Sequence, residues 1–113
     1  MSLQVTTGQI DEVHVVDLVG AIDGASAPQM QTVVVPLIQD GVRMVLDLSQ
    51  VDYMSSAGLR VLLLVFRQVS AKGGKVALTG LSEEIRDTMS LTGFLDFFAA
   101  ADTRDAAVQT VRE

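Results

Sequence analysis

Apolar residues fall into short runs of strand length at five places along the chain. Residues 3–7 and 13–19 are separated by the turn-forming letters "GQIDE", and this arrangement predicts an antiparallel hairpin. The runs "VRMVLDLS" at 42–49 and "GGKVALTG" at 73–80 are almost wholly apolar, as in strands that are buried on both faces. The run "FLDFFAA" at 94–100 predicts a short last strand.

Helical spacing of apolar residues occurs in four segments between and after these strands. The first helix begins after a Ser26 cap and runs to Asp40, with a kink at Pro36. The others are residues 53–71, a segment from a Ser82 cap to a Gly93 stop, and a last helix capped by Asp102 or Thr103. Strands and helices thus alternate after the hairpin, which predicts an α/β fold. We expect one domain over residues 1–113, with a mixed, mainly parallel sheet of four or five strands flanked by about four helices.

Two loops follow strands at the edge of the sheet where functional residues usually lie. Loops at the carboxyl ends of parallel strands gather at one edge of the sheet. The loop "GAIDGAS" follows the second strand, and the loop "SQVDYMSSAG" follows the third. We expect these two loops to lie side by side.

The second of these loops leads into "VDYMSSAGLRVLLLVF" at 51–66, where two serines precede a long apolar run. Either Ser55 or Ser56 is expected to cap the helix that follows. The stripe that faces the sheet is then Leu59, Leu62, Leu63, Phe66 and Val69. Three further apolar residues remain outside this stripe: Val61, Leu64 and Val65. We expect neighbouring helices to cover these three residues. The alternative is that they form an exposed apolar surface that binds a partner.

Ser56 and Arg60 are four residues apart and share a helix face. A phosphate on Ser56 would meet free backbone N–H groups, the positive end of the helix dipole and the Arg60 guanidinium. Such a phosphate would change the surface more than the fold. Taken alone, however, a serine before a helix is far more often a cap than a modified residue.

The composition excludes several classes of function. The chain has no Cys and a single His, His14, so it lacks a thiol nucleophile and a multi-histidine metal site. A net charge of −6 argues against binding of nucleic acid or anionic membranes, and no apolar run approaches the roughly 20 residues of a membrane span. We therefore expect a cytoplasmic protein.

An enzyme is not expected either. "SSAG" lacks the G-x-S-x-G pattern of a nucleophile elbow, and no phosphate-loop or dinucleotide motif indicates a cofactor. A cation site would need several carboxylates close together. The four candidates belong to different elements, and we interpret them as solvated turn carboxylates: Asp11, Glu12, Asp47 and Asp52. We predict no catalytic residue, no metal site and no cofactor.

Three motifs in order carry a resemblance to a known family. They are Gly20-x-x-Asp23, Tyr53-Met54 followed by Ser-x-Gly-Leu, and Leu91-Thr92-Gly93-Phe94. With these motifs, essentially the whole chain resembles anti-sigma factor antagonists built on a STAS domain.

The resemblance implies a partner switch. The unphosphorylated protein would bind an anti-sigma factor that is also a serine kinase, and would so release a sigma factor. The kinase would use ATP to phosphorylate a serine, and a PP2C-type phosphatase would reset the protein. The alternative is a STAS subunit that does not switch, an adaptor on a lipid-transport ATPase or in a signalling complex.

The family motif also assigns site residues. The phosphoacceptor lies two residues before the motif glycine, Gly58, and is therefore Ser56. Ser55 stands where the family usually has Asp, and Ala57 leaves no second hydroxyl beside the acceptor. The loop aspartate of the family corresponds to Asp23. The expected partner-binding residues are Asp23, Ser55, Ala57, Gly58 and Arg60.

Overall fold

A mixed five-stranded sheet forms the centre of the structure, a computed structural model that describes residues 3–113. In chain order, which is also the spatial order, its strands are β1 Gln4–Ile10, β2 Val13–Ile22, β3 Arg43–Met54, β4 Lys75–Thr79 and β5 Ala99–Ala101. The first pair is antiparallel and the other three pairs are parallel. This topology confirms the predicted fold class.

Four α-helices connect or follow the strands within the described part of the chain: α1 Ala27–Val34, α2 Ser56–Ala71, α3 Glu83–Thr92 and α4 Arg104–Arg112. The signals for α3 are confirmed, because the Ser82 hydroxyl accepts a hydrogen bond from the Ile85 N–H at 3.1 Å and Gly93 ends the helix with φ 78°. Of the two candidate caps for α4, Thr103 is the one used.

The hairpin turn is shorter than predicted. β1 continues through Gly8 to Ile10, so only Asp11 and Glu12 form the turn, with φ 50° and 69°. A two-residue turn with positive φ at both positions matches the twist of the flanking strands. The prediction took the glycine as a turn residue, whereas it lies in an exposed edge strand.

The first helix begins at Ala27 with Ser26 at the N-cap position, as predicted, but it is shorter than predicted and its cap residue makes no side-chain capping bond. The α-helix ends at Val34 and tightens into a 3₁₀ turn over Val35–Leu37. Pro36 has no N–H to donate and its ring conflicts with the carbonyl one turn back, so the helix stops there rather than kinking. Ser26 makes no capping bond, because its hydroxyl donates to the Ala21 carbonyl at 2.7 Å and accepts from the Asp23 N–H at 2.9 Å.

The third strand is longer than predicted, and the last strand is shorter. β3 extends to Met54 because β2 offers pairing partners as far as Ile22, so Tyr53 belongs to a strand and not to the helix region. In "FLDFFAA", Phe94–Phe97 form a 3₁₀ turn, and the strand begins only at Ala99. At β3, pairing with β2 overrode the local pattern, whereas the 3₁₀ turn that follows Gly93 shortens the last strand.

The two faces of the sheet are covered by different helices. The larger cluster contains Met30 of α1, Leu62 of α2 and Met89 of α3, packed against alternate residues of the central strands. The smaller cluster lies on the other face, where α4 covers the amino-terminal halves of three strands with Ala107, Val108 and Val111. The sheet thus separates α4 from the loops that carry the candidate site.

An ion-paired cluster anchors the beginning of α4 to the sheet. Asp17 on β2 and Asp47 on β3 are direct neighbours in register, and the Arg104 guanidinium binds both of them. Arg104 Nη2 lies 2.9 Å and Nε 3.1 Å from Asp47 Oδ2. Asp47 is buried, so the prediction that it is a solvated turn carboxylate is wrong.

The pKa of Asp47 reflects this environment. Burial acts to raise it, but hydrogen bonds from Ser49 and the hydrogen bonds and charge of Arg104 outweigh burial and lower the pKa below its ordinary value of 3.8. A lowered carboxyl pKa stabilises the folded protein at neutral pH, and this stabilisation is lost as the pH falls through the folded-state value.

We predict that Arg104→Met lowers the free energy of unfolding at pH 7 by about 1–3 kcal/mol, because two neighbouring carboxylates lose their shared cation. The matched control is Arg112→Met on the same helix, which removes only an exposed pair with Asp11 at 3.5 Å and should cost less than about 0.5 kcal/mol. Urea unfolding measures both. The Arg104→Met deficit should shrink as the pH falls below about 4, because the stabilisation that comes from the lowered pKa of Asp47 is lost there. Equal stability of the two variants at pH 7 would contradict this role.

Candidate functional site

The two candidate loops lie side by side, as expected. β2 and β3 pair in parallel to their last residues, where Ile22 faces Met54. Immediately beyond this pair, the Ser55 N–H donates to the Ile22 carbonyl at 2.8 Å. The start of α2 is therefore tied to the end of β2, just before the Asp23 loop.

The adjacent serines have different positions and different tasks. Ser55 is the N-cap residue of α2, with extended backbone (φ −86°, ψ 175°), and its hydroxyl accepts from the Gly58 N–H at 3.4 Å. Ser56 is the first residue of the helix and its side chain is exposed. The cap therefore belongs to Ser55, and the Ser56 hydroxyl faces solvent beside the free N–H groups of the first turn.

Gly58 allows this close approach of helix and sheet. A Cβ atom at this position would lie 2.8 Å from Ile22 Cγ2, 2.9 Å from Met54 Cγ and 3.0 Å from the Ile22 carbonyl oxygen. The glycine of the motif is thus required by packing against the ends of β2 and β3.

Asp23 is held in place by its own loop. Its Oδ1 accepts hydrogen bonds from the Ala25 N–H and the Ser26 N–H, each at 3.0 Å. The Ser26 hydroxyl lies 3.1 Å from the same oxygen and shares its single proton between Asp23 and the Ala21 carbonyl. The Ser26 N–H contributes most, and together these bonds lower the pKa of Asp23 below 3.8. Asp23 is therefore a fixed negative charge at neutral pH.

The remaining predicted residues lie along the first turns of α2. Ala57 is half-buried and Arg60 is exposed, and both line a groove that Gly24 of the Asp23 loop also borders. Helix α2 has no acidic residue in its first turn. The structure therefore brings together all six predicted site residues at one end of the sheet: Asp23, Ser55, Ser56, Ala57, Gly58 and Arg60.

The buried face of α2 differs in part from the predicted stripe. Leu59, Leu62 and Val69 are buried as expected, whereas Leu63 and Phe66 are only half-buried. Val61 and Val65, which were left outside the stripe, are buried in the main core instead. The favoured interpretation, that neighbouring elements cover the extra apolar residues, holds for these two, whereas Leu64 stays half-exposed in the groove.

Sequence reasoning missed a cleft on the other side of α2. A cavity of about 140 Å³ is lined by Asp52, Tyr53, Met54 and Leu59 together with Glu84, Ile85 and Thr88 of α3. Tyr53 is 54% exposed there, beside the start of α2. The missed signal was the pair Asp52 and Tyr53 at the end of β3, two exposed residues that directly follow the buried Val51.

Other classes of site are not found among the described residues. Residues 3–113 bring no three His, Cys, Asp or Glu side chains together in a way that would hold a metal ion. Over the same range, none of the helices has the length and apolar character that crossing a membrane requires.

Comparison with known proteins identifies the family to which the chain belongs. The profile of the STAS domain matches residues 4–107. The chain is 37% identical over 106 residues to BtrV of Bordetella bronchiseptica, a protein named as a candidate anti-sigma factor antagonist. This match covers 93% of the chain and 91% of BtrV. It is 32% identical over 109 residues to the anti-sigma-B factor antagonist of Bacillus subtilis, covering 96% of the chain and all of that protein.

A solved structure agrees with these matches. The crystal structure of an anti-sigma factor antagonist from Mycobacterium paratuberculosis superposes with a TM-score of 0.88 at 27% identity. The match covers 98% of this chain and 95% of that one. The similarity therefore extends over the whole fold and includes the loops at the end of the sheet.

We predict that Gly58→Ala lowers the free energy of unfolding by about 1–3 kcal/mol, because the added methyl group overlaps Ile22 and Met54. The matched control is Gly24→Ala, where a Cβ meets nothing within 4 Å. Its effect should stay within about 0.5 kcal/mol. Urea unfolding followed by circular dichroism measures both, and a neutral Gly58→Ala variant would show that α2 does not rest on the strand ends as described.

Proposed function

Because this chain belongs to the STAS-domain family of anti-sigma factor antagonists, we propose that it is a partner switch whose phosphoacceptor is Ser56. In its unphosphorylated form it binds an anti-sigma factor and so frees a sigma factor. Phosphorylation of Ser56 by that anti-sigma factor, acting as a serine kinase, ends the binding, and a PP2C-type phosphatase restores it. A regulator of sigma factors works where transcription occurs, which in bacteria is the cytoplasm.

The catalytic groups of this cycle belong to the kinase and the phosphatase, because antagonists of this family are non-enzymatic regulators. The Ser56 Oγ attacks the γ-phosphorus of ATP, the bond to the ADP oxygen breaks, and the hydroxyl proton passes to a base of the kinase. The phosphatase then hydrolyses the ester to the free hydroxyl and inorganic phosphate. The chain itself contributes an accessible serine on a rigid support.

The observation that carries the proposal is the division between the two serines. Ser55 forms the cap, so Ser56 is available for modification without loss of the helix start. A phosphate on Ser56 would lie at the positive end of the α2 dipole and within one turn of Arg60. The fold should therefore survive phosphorylation.

The switch follows from charge at the surface. A phosphate adds about −1.5 to −2 charges at neutral pH, beside the fixed carboxylate of Asp23. A partner that packs on this end of the sheet must then desolvate both groups. Unpaired charge in an interface costs several kcal/mol. A loss of ~3 kcal/mol weakens a complex more than a hundredfold.

We predict that Ser56 alone accepts the phosphate. Protein immobilised as Ser56→Ala captures its anti-sigma factor from cell extract, and the purified factor is then incubated with the wild-type protein and ATP. Mass spectrometry of the phosphopeptide should place one phosphate on Ser56. The Ser55→Ala variant should still be phosphorylated, since it loses only a long capping bond worth about 0.5–1 kcal/mol. Phosphate on Ser55, or undiminished labelling of Ser56→Ala, would refute the assignment.

We predict that phosphorylation changes affinity and leaves stability almost unchanged. Thermal unfolding of purified phosphoprotein should occur within a few degrees of the unmodified protein, because the helix N-terminus holds the added charge. Its affinity for the anti-sigma factor should fall more than about a hundredfold, as measured by calorimetry. A large fall in melting temperature would mean that the phosphate disrupts the fold instead. Equal affinity of the two forms would leave a STAS adaptor that does not switch.

A further inference from the structure

Helices α1 and α2 differ in charge from helices α3 and α4, which both carry acidic residues in their first turns. The chain has 14 acidic residues and a net charge of −6, yet neither Ala27–Val34 nor Ser56–Ala71 contains an acidic residue. Helix α1 carries no charge of either sign, and α2 carries only Arg60 and Arg67. The two helices therefore form a cationic face on an anionic protein.

The two arginines lie in line with the acceptor serine. Positions 56, 60, 64 and 67 are spaced by four, four and three residues, so they share one face of α2. Ser56, Arg60 and Arg67 are exposed, and Leu64 between the arginines is half-buried. This face thus presents an apolar side chain flanked by two positive charges.

A groove runs between this face and α1. It has a volume of about 270 Å³ and is lined mainly by small or apolar residues: Gly24, Ala27, Pro28, Ala57, Val61 and Leu64, with Arg60 at its edge. The cleft beside Tyr53, on the opposite side of α2, is bordered by the carboxylates of Asp52 and Glu84 instead. The two depressions on either side of α2 therefore favour ligands of opposite charge.

We propose that the groove between α1 and α2 is the docking site for an acidic amphipathic helix of the anti-sigma factor. Leucine-like side chains of that helix fill the groove, and its carboxylates pair with Arg60 and Arg67. Gly24 of the Asp23 loop lines the groove, and Ala57 and Arg60 belong both to it and to the candidate site. This inference rests on the proposed function and adds the chemistry of the partner to it.

Arg60 then takes part in both states of the switch. In the unphosphorylated protein its guanidinium is available to a carboxylate of the partner. In the phosphoprotein the phosphate one turn away competes for the same guanidinium and repels that carboxylate. Specificity of this kind combines an attraction in one state with a repulsion in the other.

A designed peptide tests the chemistry of the groove without the cognate partner. The probe is a helix-forming peptide of about 16 residues with leucines at i, i+3, i+4 and i+7 and glutamates flanking them. Titrated into ¹⁵N-labelled full-length protein, it should bind with Kd in the range of about 0.1–1 mM and shift amide resonances of α1 and of α2. A peptide with lysines in place of the glutamates, and one with serines in place of the leucines, should each bind at least about tenfold more weakly.

Charge variants assign the contacts. The double variant Arg60→Gln/Arg67→Gln should weaken peptide binding at least about tenfold and flatten its salt dependence. The control is Arg112→Gln, which removes one positive charge from α4, on the opposite face of the sheet. It should change the Kd of the peptide less than about twofold. Ser56→Glu should weaken binding because its carboxylate competes for Arg60.

The failure of the groove and the failure of the switch give different results. Resonance shifts confined to Tyr53 and α3, preference for the lysine peptide, or no binding at several millimolar would overturn the groove proposal. Phosphorylation of Ser56 by the captured kinase would leave the switch intact in that case. Groove binding without phosphorylation of Ser56 would instead support the docking surface and refute the switch.

Discussion

The parallel pairing of β2 with β3 is the constraint on which the rest of the structure depends. It continues to the last residue of each strand, and its final backbone bond joins Ser55 to Ile22. One consequence is geometric, because the Asp23 loop and the start of α2 cannot separate while this pairing holds. Another is steric, because Gly58 must be small where the helix crosses the strand ends. The Asp23 loop, the Ser55 cap and the first turn of α2 thus form one connected unit.

The sequence was most informative where local chemistry and long-range packing agree. The Ser82 cap, the Gly93 stop and the buried strand around Leu46 are each supported by composition and by their position in the fold. The six predicted site residues lie together at one end of the sheet, because the family motif and the geometry of parallel sheets indicate the same place.

The errors share one physical origin, which is that neighbouring strands and side chains redirect locally ambiguous residues. Gly8 is a good turn former, but pairing with β2 keeps it in a strand. Ser26 is a good cap residue, but the Ala21 carbonyl and the Asp23 loop engage its hydroxyl first. Asp47 lies in a strand that was predicted to be buried, but the local pattern did not show the cation that allows its carboxylate to be buried, because Arg104 lies 57 positions away in the sequence. Contacts of this kind become visible only when the strands are in register.

Ser55 caps the helix while Ser56 is exposed, and this difference affects how freely each position can vary in sequence. The hydroxyl at position 55 caps the helix and packing requires a small residue at position 58, whereas position 56 contributes no bond to the cap. The residue at position 56 and its exposed neighbours can therefore vary in sequence while the domain stays folded. Proteins that share this scaffold can thus differ in the chemistry that they present at the start of α2.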